Sequence, residues 1–212
     1  MPEFPKSVIG IALNFQETIT RLAPSFSAPP YQSPPKAPIL YLKTPNTWIS
    51  SGQAIICPSA IPRLRAAGTL GLIVSRTACH VRAASALSHI AALTAVNDVS
   101  IPHESYYRPA LRERCSDTFC AIGELSPISS HHSLFEIDVL VNNILRSSVR
   151  TRSLVRSIPN LIQDISEFMT LRPGDIVLIG EPDSSPLVSP GDTVRIEIPG
   201  VGCIENRVVA GS

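Results

Sequence analysis

The chain has 212 residues, 44% of them apolar and 17% charged, with a formal net charge of +1. That length suits one domain, or one domain and a short arm, and the apolar share is enough for a sizeable core. The near-neutral balance excludes a strong field that would recruit nucleic acid or an anionic membrane.

Val8-Ile9-Gly10-Ile11-Ala12-Leu13 is short, apolar and partly β-branched, which predicts a strand. Prolines then crowd the segment from Pro24 to Pro38, a density that opposes helix and favours stiff extended coil. The segment is too short to separate two folded domains. Residues 1–38 therefore read as an N-terminal strand and Pro-rich arm, a flap or tether over a body formed by 39–212. Ile39-Leu40-Tyr41-Leu42-Lys43 predicts a buried strand, closed by the turn Thr44-Pro45-Asn46-Thr47, and Leu70-Gly71-Leu72-Ile73-Val74 predicts another. The spacing of Ala84, Leu87, Ala91 and Ala95 predicts a helix over 83–96. Asp98 would then sit just past that helix, where a loop can aim it into a cleft.

Phe135, Ile137 and Val139 alternate with Glu136 and Asp138, the strand period, and Asn142-Asn143 suits a hairpin turn. Ser157 suits an N-cap and Pro159 a first helical turn, with Leu161, Ile162, Ile165, Phe168 and Met169 on one apolar face. Arg172-Pro173-Gly174-Asp175 ends that helix and 176–179 resumes as a strand. Pro190-Gly191-Asp192 turns into the alternating Val194, Ile196 and Ile198, and Pro199-Gly200-Val201-Gly202 turns again into Ile204 and Val208. The whole reads as α+β, strand-rich with two main helices and no solenoid repeat.

The five cysteines are scattered and lack C-x-x-C spacing, so neither a disulfide framework nor a zinc knuckle is expected. Cys115 and Cys120 read as buried thiols rather than a redox pair. No apolar stretch approaches the roughly 20 residues that cross a bilayer. Met1-Pro2-Glu3-Phe4-Pro5 has no basic, apolar leader, so a cytoplasmic location is expected. There is no Gly-x-Ser-x-Gly elbow and no Gly-rich phosphate loop. None of His80, His89, His103, His131 and His132 has helical zinc spacing, and His131-His132, set among serines, reads as a solvated turn.

What remains is a compound signal. It comprises Lys43 before a Pro turn, Asn97-Asp98, Asp117-Thr118-Phe119 with Gly123, and the run from Ser166 to Asp175. Gly180-Glu181-Pro182, Pro190-Gly191-Asp192 and Gly200-Val201-Gly202 complete it. In this order and spacing they resemble the fumarylacetoacetate hydrolase family from about residue 8 to residue 209. Ser105-Tyr106-Tyr107-Arg108-Pro109, Cys115, Phe119-Cys120 and Ile122-Gly123-Glu124 resemble one branch in particular. That branch is the N-terminal halves of the bifunctional isomerase/decarboxylases of 4-hydroxyphenylacetate (homoprotocatechuate) breakdown.

The resemblance implies a mixed β-roll, usually dimeric, whose members bind Mg²⁺ or Mn²⁺ and act on 2-oxo or enol carboxylates. A hard cation held by carboxylates chelates the oxo acid and stabilises an enolate. The family holds it with a Glu-x-Glu pair on a strand, whose alternation aims both carboxylates one way, and with an Asp further on. In this chain Asp98 falls on the Asp position, but Ala67 and Thr69 fall on the Glu positions. One carboxylate and a hydroxyl make a poor site for a hard dication, so the expected cofactor is none, or a weakly bound Mg²⁺ or Mn²⁺ at Asp98.

The family's lid carries Asn-Tyr-x-x-His-x-x-Glu; here Asn14-Phe15 is followed by Thr18 and Arg21 in the His and Glu places, with Glu17 nearby as a substitute base. Gly180-Glu181-Pro182 replaces Gly-Thr-Pro, which puts a carboxylate where one is usually bound. That either disfavours a diacid or supplies a new acid/base group. The resemblance thus implies Asp98, Glu181 and Glu17 as catalytic candidates and Lys43, Arg108 and Arg114 as substrate-binding ones. The activity it implies is isomerisation or decarboxylation of an unsaturated 2-oxo (enol) dicarboxylate. Two alternatives stay open: a repurposed, metal-independent enzyme working on an enol or β-dicarbonyl intermediate of polyketide type, and a non-catalytic partner of an intact homologue. The expected partners are a small-molecule substrate and a second copy of the chain or such a homologue, with no nucleic acid and no membrane.

Overall fold

A computed structural model describes residues 5–103, 105–128 and 134–211; residues 1–4 and the turn expected at His131-His132 lie outside it. The chain opens with β1 (Val8–Ala12), α1 (Gln16–Phe26), β2 (Ile39–Lys43), β3 (Trp48–Ile49) and β4 (Ile55–Cys57). Next come β5 (Leu64–Val74), α2 (Ala83–Ala86), β6 (Ile90–Ser100), α3 (Leu111–Arg114), β7 (Cys120–Ile122) and β8 (Ser126–Pro127). The remainder is β9 (Glu136–Val141), β10 (Ile144–Arg150), α4 (Ile158–Phe168), β11 (Ile176–Leu178), β12 (Leu187–Val188), β13 (Thr193–Ile198) and β14 (Gly202–Ala210).

The larger sheet runs β2-β1-β11-β5-β6-β7-β3, with β12 on β5 and β8 on β6. Its long members β5 and β6 pair antiparallel from Arg65 opposite Ser100 to Val74 opposite Ile90. β1 lies antiparallel to β2 and parallel to β11, so the N-terminal strand is bonded on both sides within the same sheet as residues 39–43. The second sheet runs β10-β9-β13-β14-β4. It packs closely on β5, because a Cβ at Gly68 would meet Val139 Cγ2 at 2.8 Å and Ile137 Cγ2 at 3.0 Å. Leu70, Leu72, Ala95, Val99, Ile137, Val139, Ile196 and Ile204 fill the layer between the sheets. The other face of the large sheet curls around a smaller cluster of Val8, Val96, Cys120, Ile176 and Leu178. The architecture is therefore a strand-rich β-roll with few helices, as expected.

Local signals explain most elements. Asn142 and Asn143 take φ of 52° and 61°, the paired positive values of a tight hairpin turn between β9 and β10. Ser157 caps α4 by accepting the Asn160 N–H at 3.4 Å, and Leu161, Ile162 and Ile165 are buried. Phe168, assigned to that face, is instead 69% exposed: it is the last helical residue, and extended Met169 takes up the packing against the core.

Two expectations are corrected. No helix spans 83–96; only Ala83–Ala86 is α-helical, and β6 begins at Ile90. β6 is flanked by β5 and β7 and covered on both faces, so its apolar residues do not alternate and mimic a helical run. Asp98 and its neighbours consequently lie on a strand, not in a loop. The prolines did not forbid helix as far as expected either: α1 runs through Pro24 to Phe26, burying Thr18, Leu22 and Phe26 one turn apart. Pro24 sits in the final turn, where its missing N–H forfeits a single bond. The two main helices are thus α1 and α4, of 11 residues each.

Candidate functional site

Register assembles the site. Val8 pairs with Lys43 and Gly10 with Tyr41, while Ala67 pairs with Asp98 and Thr69 with Val96. Tyr41, Lys43, Ala67, Thr69 and Asp98 thus share the inner face of the roll. In a flat sheet, β2 and β6 would stand roughly 19 Å apart across three intervening strands. Here Lys43 Nζ is 2.6 Å from Asp98 Oδ1, and neither side chain is exposed. The ion pair spans the bore of the curled sheet.

Lys43 does not face a cleft. Its three N–H groups donate to the carbonyls of Val99 (2.7 Å), Arg114 (2.9 Å) and Phe119 (3.0 Å). An ammonium has no further proton to give, so Asp98 Oδ1 gains a charge contact without an aligned hydrogen bond. Asp98 Oδ2 accepts from the Tyr41 hydroxyl. Burial first, and the Asp98 charge second, push the Tyr41 phenol well above its ordinary range, which keeps it a proton donor. The ring crosses β1 where Gly10 leaves room: a Cβ there would stand 2.1 Å from Tyr41 Cζ.

Over that ring lies the Arg114 guanidinium, 4.0 Å from the centroid. Arg114 donates from Nη1 to Glu181 Oε2 at 3.3 Å and from Nη2 to Oε1. Burial acts to lower the guanidinium pKa, but Glu181, Tyr41 and Asp98 together outweigh it and raise the pKa. Glu181 follows Gly180, whose φ of 132° turns the chain inward after β11. Asn14 holds that turn by donating to the Ile179 carbonyl at 2.8 Å and accepting the Arg156 N–H at 2.9 Å. Lys43, Asp98, Arg114 and Glu181, two cations and two anions, are buried and join through the part-buried Tyr41 into one continuous network.

Tyr41 and Arg114 also border a cavity of about 350 Å³. Ile39, Leu40 and Leu42 of β2 line it together with His103, Tyr106, Tyr107, Arg108 and Leu111. Burial first, and then the Arg114 charge, lower the His103 pKa below its usual value, so the imidazole is neutral near pH 7. Burial and then Glu181 push the Tyr106 phenol up to about 12. The Tyr106 N–H donates to the Tyr31 hydroxyl at 2.8 Å, and Tyr31 packs edge-on against Phe26 and Tyr107. The Pro-rich arm thereby braces the loop that carries His103 and Arg108.

The structure divides the sequence candidates. Arg108 and Arg114 line the cavity; Asp98 and Lys43 lie beneath it and Glu181 behind Arg114. Glu17 lies elsewhere: its exposed carboxylate accepts the backbone N–H of Asp183 at 2.9 Å, while Arg21 binds the Asp183 side chain at 2.6 Å. Glu17, expected as a substitute base, clips α1 to the loop after β11 and does not line the cavity. Lys43, expected as a substrate ligand, is engaged by Asp98 and three carbonyls as an internal counter-ion. Tyr41, His103 and Tyr106 were missed. Tyr41 stands two residues before Lys43 on a strand, so alternation alone placed them on one face. Of the thiols, Cys120 is buried while Cys115 is only partly so and borders the cavity; the described cysteines are all free.

The donor set does not fit a hard dication. Ala67 offers no oxygen, Thr69 only a buried hydroxyl with no hydrogen-bond partner, and both Asp98 oxygens are engaged by Tyr41 and Lys43. Among the described residues no three His, Cys, Asp or Glu side chains converge as a metal site. An internally neutral network also lacks the charge excess a dication requires.

Comparison with known proteins agrees with this architecture. Residues 7–209 match the sequence model of the fumarylacetoacetate (FAA) hydrolase C-terminal family. The chain is 38% identical over 204 residues to the 4-hydroxyphenylacetate degradation bifunctional isomerase/decarboxylase of Salmonella dublin, covering 96% of this chain and 47% of that protein. It thus spans about half the length of the curated relatives it matches. The 5-carboxymethyl-2-hydroxymuconate delta-isomerase of Mycobacterium smegmatis superposes with a TM-score of 0.84 at 28% identity, over 98% of this chain and 78% of that one. Fumarylpyruvate hydrolase of Pseudomonas aeruginosa, solved with Mn²⁺ and pyruvate, shares the fold at a TM-score of 0.84 and 21% identity, over 100% and 98% of the two chains. The chain belongs to the fumarylacetoacetate hydrolase family.

Proposed function

We propose that this protein is an isomerase or decarboxylase of unsaturated 2-oxo (enol) carboxylates that works without a bound dication. One observation carries the reading. A neutral imidazole, a protonated phenol and a guanidinium surround a single cavity of a scaffold whose relatives are isomerases, decarboxylases and hydrolases. Arg108 anchors the substrate carboxylate. His103 takes a proton from the carbon next to the oxo group, and the freed electron pair moves onto the carbonyl oxygen to give an enolate. The Tyr106 hydroxyl, still protonated, donates to that oxygen. The imidazolium then returns the proton to a carbon further along the conjugated chain. In decarboxylation the same enolate forms as the C–C bond to a carboxylate breaks and CO₂ leaves. The buried network beneath holds Tyr41 and Arg114 in place as the cavity floor.

The ultraviolet absorbance of 2-hydroxyhepta-2,4-diene-1,7-dioate reports turnover. Turnover unchanged by EDTA or by added Mn²⁺ is expected. Absence of turnover in every condition removes the proposal, and activity that is abolished by EDTA and restored by Mn²⁺ removes its metal-independent part. A second reading has a specific support: the walls of Ile39, Leu40, Leu42, Tyr107 and Leu111 suit a larger, less polar enol or β-dicarbonyl of polyketide type. Turnover of such an intermediate in preference to the dienoate would favour it.

A further inference from the structure

We infer that the cavity selects a monocarboxylate with an apolar body, and that Glu181 sets this preference by neutralising Arg114. The inference rests on the proposed enol-carboxylate chemistry for its choice of probes. Two guanidinium groups line the cavity, those of Arg108 and Arg114. Arg114 is 3% exposed and commits both Nη groups to the two oxygens of Glu181, itself 6% exposed. Paired in this way, Arg114 projects little net charge into the cavity. A ligand carboxylate brought beside it would meet the Glu181 charge directly behind, at short range and in a poorly hydrated setting.

Arg108 is different. It is exposed, lies at the cavity rim, and among the described lining residues is the one fixed positive charge without a carboxylate partner. The cavity therefore offers one carboxylate anchor. A second carboxylate on the same ligand would lie against the apolar side chains of Leu40, Leu42 and Leu111 and find no compensating charge there. An apolar or esterified end gains from the same walls.

The test compares 2-hydroxyhepta-2,4-diene-1,7-dioate with its ester at the distal carboxylate, in kcat/KM. A saturated 2-oxo diacid and the 2-oxo monoacid of equal length serve as ligands that cannot isomerise, read by thermal shift. The ester should be preferred by about tenfold, and the monoacid should raise the melting temperature further than the diacid. A diacid that reacts as well and binds as tightly overturns the inference. If neither dienoate reacts, the proposed function falls, but the binding pair still decides the selectivity. Glu181→Gln frees the Arg114 charge and should shift both ratios toward the diacid by about tenfold. A folded Glu181→Gln protein with unchanged ratios removes Glu181 from the explanation. Should that variant not fold, Arg114→Met/Glu181→Met, which leaves the net charge as it was, must keep the wild-type ratios, and a reversal there overturns the assignment.

Discussion

Gly10→Ala is a small change with a large expected effect, because the missing Cβ is what lets Tyr41 cross the sheet. An added Cβ would stand 2.1 Å from Cζ, 2.2 Å from Cε2 and 2.6 Å from the hydroxyl oxygen of Tyr41. Non-bonded carbons rest at about 3.5–4.0 Å, so the ring must retreat by roughly 1.5 Å. Retreat breaks the hydroxyl's bond to Asp98 and lifts the ring from Arg114. A hydrogen bond to a charged group is worth about 1.5–3 kcal/mol and a desolvated cation–π contact about 2. Overpacking adds about 1–3 kcal/mol, and since the three losses overlap, a net destabilisation of about 3–5 kcal/mol is expected. Urea unfolding of Gly10→Ala measures it. In a Tyr41→Ala background the same alanine meets no ring and should cost under about 1 kcal/mol, so the cycle isolates the contact. A loss below about 1 kcal/mol for Gly10→Ala alone would refute the packing argument.

Lys43→Met leaves Asp98 buried without its counter-ion and three carbonyls without a donor, and should cost about 3–5 kcal/mol in chemical denaturation. Lys43→Met/Asp98→Leu should recover part of that loss, and a double variant no better than the single contradicts the pairing. The lowered His103 pKa keeps the base neutral as pH falls through 6.5, so kcat/KM should stay level there and decline only at lower pH. His103→Asn should remove that acid limb and reduce kcat by about 10²–10³-fold. Equimolar protein should leave the electron paramagnetic resonance signal of free Mn²⁺ unattenuated; loss of one equivalent of signal contradicts the donor-set argument.

Alternating elements were legible from sequence because one face of each is wetter than the other. β9 and β13 are read directly from Ile137, Val139, Val194 and Ile196. β6 was not, because Leu93 to Ser100 is buried without a break, and nothing there enforces a period of two. α1 was half hidden by Pro24, though Thr18, Leu22 and Phe26 carry its stripe. At the site, the placement of Ala67 and Thr69 on one face was legible, since it follows from strand alternation alone. The pairing of Lys43 with Asp98 was not, since it exists only once the sheet curls and brings its end strand across to β6. Nor was the contact of Glu17, close in sequence to the lid positions, with the backbone of Asp183, which lies 166 residues further on. Glu181 was noted as an intruding carboxylate, but its neutralisation by Arg114 required seeing the two side chains meet.

The parallel pairing of β1 with β11, Val8 opposite Ile176, has a consequence for biosynthesis. A ribosome finishes the first strand long before it makes the neighbour that completes its bonding. Until then Val8, Ile9 and Ile11 remain a sticky ribbon sheltered along one edge by β2, its antiparallel neighbour beyond α1. Maturation of the nascent chain should thus be gated by emergence of residues near 178, and a pause upstream of that point would prolong its dependence on chaperones.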